Sequence, residues 1–113
     1  MNKSQFLRKK SAFYLKHPEQ DDLFFYRSFV EQYPDAAIGW FHLGREWELR
    51  GQEMQALSAY RKALHTGADE YAADAREAYH QLLRKRRNRQ RSALHSLRQG
   101  QARSEAGWVV IPK

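Results

Sequence analysis

The sequence predicts an all-α protein built from antiparallel helix–turn–helix repeats, with five or six helices. Apolar residues recur at three- and four-residue spacing along most of the 113 residues, and no stretch alternates with period two for long enough to read as a strand. The punctuation agrees. His17-Pro18, Tyr33-Pro34, Gly51 and Gly67 each interrupt the periodicity where a helix would have to stop and turn.

The first helix is expected over about residues 4–16, with Ser4 as N-cap, ending in the His17-Pro18-Glu19 turn. The second covers about 21–33, with Asp21 or Asp22 near its N-cap and Tyr33-Pro34 as its stop. The third starts after Asp35, runs to about Arg50 and is broken by Gly51. The fourth spans about 53–65 and ends at Gly67. Asp69 then caps a fifth helix, whose stripe of Tyr71, Ala75, Ala78, Tyr79 and Leu82 lies on one face. Beyond Leu83 the pattern thins into Arg84-Lys85-Arg86-Arg87-Asn88-Arg89-Gln90-Arg91 and resumes at Ala93, Leu94 and Leu97. Periodicity leaves open whether this is one long helix or two. From Gly100 the composition reads as a flexible tail, residues 100–113, with an apolar end at Trp108 to Ile111.

Composition narrows the class. The length suits one domain, placed at residues 1–99, and 42% hydrophobic with 13% aromatic residues is enough for a core. There is no cysteine, so disulfides and thiolate metal sites are ruled out and a reducing, cytoplasmic setting is the expectation. No apolar h-region follows the N-terminal cations, and the longest apolar runs fall far short of the ~20 residues that span a bilayer. The net charge of +7 is concentrated at one end. Residues 1–35 hold six Lys/Arg against five Asp/Glu, residues 36–83 hold five against seven, and residues 84–113 hold nine against one.

Within residues 37–70 a specific pattern stands out: Trp40-x2-Leu43-Gly44-x2-Trp47, then Gly51, then Ala56-x3-Tyr60-x2-Ala63. At 100° per residue the first four share an arc, two large rings flanking a notch at Gly44. Ala56, Tyr60 and Ala63 form a facing stripe of small residues around one ring. Small against large lets two antiparallel helices approach closely, and Gly51 supplies the turn. The pattern resembles the tetratricopeptide repeat (TPR), a helix–turn–helix unit of ~34 residues. Trp47 and Tyr60 stand where that family usually has Tyr and Phe, and Ala68 stands where it usually has proline.

Counting 34 back, Tyr26 matches Tyr60, Phe6 matches Trp40 and Pro34 takes the expected proline place, while Lys9 and Lys10 occupy the Leu-Gly positions. Counting 34 forward, Ala78 matches Gly44, Leu94 matches Tyr60 and Leu97 matches Ala63, whereas Asp74 and Glu77 replace Trp40 and Leu43. The expected architecture is therefore a short TPR-like α-solenoid with units at about 3–36, 37–70 and 71–99, the outer two degenerate as terminal repeats tend to be.

The resemblance implies a protein-binding adaptor whose groove holds a peptide or helix of a partner on the first helix of a unit. With Trp40, Leu43 and Trp47 turned to the partner helix, Phe41, His42, Arg45, Glu48 and Leu49 point away and are the candidate contacts. The plainer reading is packing of Phe41 and Leu49 on an adjacent unit, with Arg45 and Glu48 as solvated charges. Phe41 and His42 occupy places where a carboxylate clamp would need polar or basic groups, which argues against chaperone-tail binding. Arg84, Lys85, Arg86, Arg87, Arg89 and Arg91 offer an alternative, nucleic acid or another anionic surface, although no aromatic is interleaved with them. The apolar tail end offers a route to self-association.

Enzyme, metal and cofactor chemistry are not expected. His17, His42, His65, His80 and His95 show neither His-x3-His nor His-Glu-x2-His spacing, and there is no thiol or phosphate-binding glycine loop. His42 and Glu46, one turn apart, read as a helical hydrogen-bond or ion pair.

Overall fold

The structure is a computed structural model that describes the backbone of residues 1–66 and 70–110 and the side chains of residues 1–66 and 70–97. Among these residues it is all-helical, with five helices: α1 (Lys3–Lys16), α2 (Asp22–Gln32), α3 (Ala37–Leu49), α4 (Glu53–His65) and α5 (Glu70–Val110). Adjacent helices pack in the manner of a helical repeat. The chain forms two compact units, Met1–Leu82 and Leu83–Lys113.

Local chemistry sets the helix ends in the first unit. Asn2, not Ser4, caps α1: its Oδ1 accepts from the Gln5 backbone N–H at 2.9 Å while Gln5 Oε1 accepts from the Asn2 backbone N–H at 3.2 Å. A cap at Ser4 would have put Leu7 three residues on, with no side-chain acceptor to complete the reciprocal pair. Asp21 caps α2 through the Phe24 N–H at 2.9 Å, and its other oxygen takes Arg50 Nη2 at 3.1 Å. The end of α3 is a Schellman motif. Gln52 N–H donates to the Trp47 carbonyl at 2.9 Å and Gly51 N–H to the Glu48 carbonyl at 3.0 Å, with Gly51 at φ +77°. Gly67 and Asp69, the expected stop of α4 and cap of α5, lie outside the described residues.

α3 is the central helix, packing most extensively on α4 and also on α2 and α1. Two glycines make this possible. A Cβ on Gly44 would lie 2.6 Å from the Tyr60 ring, and one on Gly39 would lie 2.5 Å from the Phe29 ring. The two positions are five residues apart, about 140° around the helix, so α3 receives one ring from each neighbour on well-separated faces. Both rings are buried, Tyr60 at 1% and Phe29 at 2% exposure. Tyr60 Oη donates to Glu48 Oε1 at 2.8 Å, which satisfies the only polar atom of its side chain. Burying a ring of this size contributes about 1.5–3 kcal/mol.

Lys10 faces Tyr26 as Gly44 faces Tyr60. Its ammonium donates to Tyr26 Oη at 2.9 Å and lies 4.9 Å from that ring's centroid. The lysine stem fills space that in the second pair the close approach of α3 removes. Phe6, the counterpart of Trp40, is the centre of an aromatic cluster with Phe25, Tyr26 and Phe29.

The anticipated stripe on α5 is also in place: Ala75 and Leu82 are buried, and Tyr71, Ala78 and Tyr79 pack against the same clusters. No helix pair forms beyond it among the described residues, however. α5 is a single helix through the basic block, which resolves the alternative the periodicity leaves open. The position 34 residues after Gly51 is Lys85, within a run of good helix formers that contains neither Gly nor Pro, so nothing there ends the helix. The backbone remains helical to Val110, past Gly100, where composition alone reads as a tail. The side chains of Trp108 to Val110 and the whole of Ile111 to Lys113 lie outside the described residues, and with them the suggested self-association through the tail.

Gly44→Ala is expected to destabilise the protein by about 1–3 kcal/mol, because overpacking against a buried ring outweighs the ~1 kcal/mol gain in helix propensity. Urea unfolding measures this directly. Adding Tyr60→Leu to the Gly44→Ala chain should recover part of the loss, whereas two fully additive losses would mean that the ring is not what the new methyl meets.

Candidate partner-binding groove

On α3, residues 41, 45 and 48 recur one turn apart beside the Gly44–Tyr60 contact, and Leu49 follows at the helix end. On α5, Asp74, Glu77 and Gln81 do the same. The two rows face each other across a groove of about 500 Å3, lined by Phe41, Arg45, Glu48, Leu49, Tyr60, Asp74, Glu77, Ala78 and Gln81. Four of the five residues singled out on α3 therefore converge on one concavity. Leu49 is 81% exposed, and Arg45 is exposed as well. Phe41 is half-buried, its ring 6.1 Å from those of both Tyr60 and Tyr71, so it packs on the neighbouring helices and lines the groove at once.

The groove is negatively charged. Glu48, Asp74 and Glu77 face it against one cation, Arg45, whose guanidinium lies 5.8 Å from the Phe41 ring centroid. Glu48 is held by Tyr60, and burial together with that hydrogen bond pushes the Tyr60 phenol well above its usual range. The phenol thus stays a donor and fixes the carboxylate at one end of the groove.

His42 lies elsewhere. Its ring stacks on Phe6 at 4.9 Å between centroids and 8° between planes, and on Tyr26 at 5.6 Å. It belongs to the packing of α3 on α1 and α2. Burial, helped by the nearby cations Arg45, Lys10 and Lys3, lowers its pKa to about 4. The anticipated His42–Glu46 pair does not form. Glu46 accepts instead from Arg50 Nε at 3.2 Å, one turn in the other direction, where Arg50 also reaches Asp21.

The α5 wall is not among the contacts that the sequence suggests. Asp74 and Glu77 read there as departures from the repeat. Their spacing with Gln81 beside the buried stripe Ala75, Ala78 and Leu82 is the available signal, since a polar row flanking an apolar one is the edge of a docked helix. Gly39 escapes notice because no motif marks it.

Of the six cations between Arg84 and Arg91, all are exposed except the half-buried Arg86, and they lie within one continuous helix. Among the described residues no group of three or more His, Asp or Glu could hold a metal ion, and no helix is long and apolar enough to cross a membrane. No family model, curated protein or solved structure matches the chain.

The His42 environment has a pH signature. Its folded pKa lies below the 6.5 of the unfolded chain, so its contribution is complete above that pH and is lost as pH falls toward the folded value. Urea midpoints are expected to decline from pH 6.5 to roughly pH 5, above the range where carboxylates dominate. His42→Phe should flatten that decline. An equally steep decline in the variant would show that the proton goes elsewhere.

Proposed function

We propose that the protein is an adaptor that binds a peptide or helix of another protein in the α3–α5 groove and carries out no catalysis. The observation that supports this most is the convergence of Phe41, Arg45, Glu48 and Leu49 with Asp74, Glu77 and Gln81 on one concavity. The resemblance of residues 37–70 to the TPR pattern points the same way, since that family uses the first helix of a unit for such recognition. An apolar anchor of the partner would lie over Phe41 and Leu49, and a basic side chain would sit between Glu48, Asp74 and Glu77. The absence of cysteine suits a cytoplasmic setting.

Arg45→Glu combined with Leu49→Glu should abolish partner capture in a pull-down from the source cell and leave the circular dichroism spectrum unchanged, because both residues are exposed. A loss of about 1.4–3 kcal/mol, tenfold or more in affinity, is the scale for removing such contacts. Undiminished capture would exclude the groove.

A second reading concerns the other unit. From Ala78 to Ser104 there is no Asp or Glu, and the basic block lies within one helix. Such a cationic rod suits an RNA or DNA backbone. Mobility-shift titrations should then show binding that weakens steeply with salt and disappears when Arg84 to Arg91 are neutralised. Absence of any salt-sensitive shift by the intact chain would dispose of this reading.

A further inference from the structure

The α1–α2 pair carries a second concavity, of about 580 Å3, on residues that the proposed adaptor groove does not use. Its floor is aromatic, from Phe13, Phe24 and Phe25, and Phe24 is 45% exposed. Every charged or basic side chain that lines it is a potential cation: Lys9, Lys16 and His17. The whole of α1 has the same character, with Lys3, Arg8, Lys9, Lys10 and Lys16 and no Asp or Glu in its 14 residues. Lys9 is fixed in position by Tyr33, to whose hydroxyl it donates at 2.9 Å. Lys16 and His17 are exposed at the rim.

The internal repeat indicates the shape of the occupant. Adding 34 to Lys9, Phe13 and Phe25 gives Leu43, Trp47 and Ala59, the corresponding side of the α3–α4 pair. That side is covered by a helix: Leu43, Trp47 and Ala59 lie in one cluster with Phe25, Phe29 and Val30 of α2. In the α1–α2 pair Phe25 is buried as well, but Lys9 and Phe13 are only half-buried and open onto the concavity beside the exposed Phe24. It also differs in carrying lysine where the covered copy has leucine. A helix fits the shape, and carboxylates fit the charge.

We propose that the α1–α2 cleft is a docking site for an acidic amphipathic helix of a partner protein. Its apolar stripe would lie on Phe13 and Phe24, and its flanking Glu or Asp side chains would meet Lys16 and His17 at the rim. The site is independent of the α3–α5 groove and opposite to it in charge, so one chain would engage two segments of different sign.

The test uses two synthetic helical peptides of the length of α1, 14 residues, with one shared Leu/Phe stripe flanked by Glu in the first and by Lys in the second. Fluorescence anisotropy with the intact protein should show the Glu peptide binding more weakly as salt is raised, while the Lys peptide, whose charge suits the α3–α5 groove, is unaffected by Lys16→Glu. Lys16→Glu and, separately, Phe24→Ser should each weaken the Glu peptide about tenfold, while Arg45→Glu in the other groove leaves it unchanged. Lys16 is exposed, so the charge variant keeps its fold and remains informative if Phe24→Ser unfolds. Indifference of the Glu peptide to Lys16→Glu, or its loss on Arg45→Glu, would overturn the proposal. So would sedimentation that shows self-association lost on Lys16→Glu, which would assign the cleft to a second copy. Retention on phosphatidylserine vesicles without binding of either peptide would likewise overturn it, in favour of a lipid surface.

Discussion

The contact between the Tyr60 ring and the bare backbone of Gly44 is the constraint on which the rest of the first unit depends. It sets the distance between α3 and α4, and any side chain at residue 44 would have to push them apart. Because α3 stands at that distance, Glu48 reaches the Tyr60 hydroxyl and Phe41 reaches both the Tyr60 and Tyr71 rings. Leu82 of α5 then packs on Tyr60 and Ala56. The groove is a by-product of that spacing: its floor is the far side of the packing that holds α3, α4 and α5 together. A second notch at Gly39 does the same against α2, so the middle helix is bracketed by rings and has little freedom to shift along either neighbour.

Much of this is legible in the residues. The Trp40-to-Ala63 pattern identifies the glycine and the ring that meet, and Gly51 identifies the turn, because a positive φ and a close approach both leave glycine as the permissive choice. α4 lies where periodicity places it, at 53–65. What escapes are features set by tertiary partners. Asn2 displaces Ser4 as a cap because of Gln5. Ala36 begins α3 without any side-chain cap, and burial of Ala37 and Ile38 holds that end instead. His42 is amphipathic and sits on the outer arc of its helix. Nothing in its own helix reveals that Phe6, 36 positions earlier in the chain, offers it a flat ring. The stretch at 71–99, which periodicity leaves open as one helix or two, is one helix. Weak apolar matches at Leu94 and Leu97 suggest a returning helix, but a helix pair needs a breaker between its members, and Lys85 is not one.

Charge divides the surface of the protein more sharply than hydropathy does. The groove between α3 and α5 gathers carboxylates, α1 has none, and the basic block has a stretch of sequence free of acid on both sides. Electrostatic complementarity of this kind selects partners and speeds encounter more than it adds affinity. In the two proposed sites, the apolar floors, Phe41 and Leu49 in one case and Phe13 and Phe24 in the other, would supply most of the binding energy.

The most direct test of the account is a proton NMR spectrum of the folded chain with Gly44 assigned. Lying against an aromatic face, its Hα protons should show nuclear Overhauser contacts to the Tyr60 ring and an upfield ring-current shift. A Gly44 resonance at random-coil position with no contact to Tyr60 would contradict the packing of α3 on α4 and, with it, the groove.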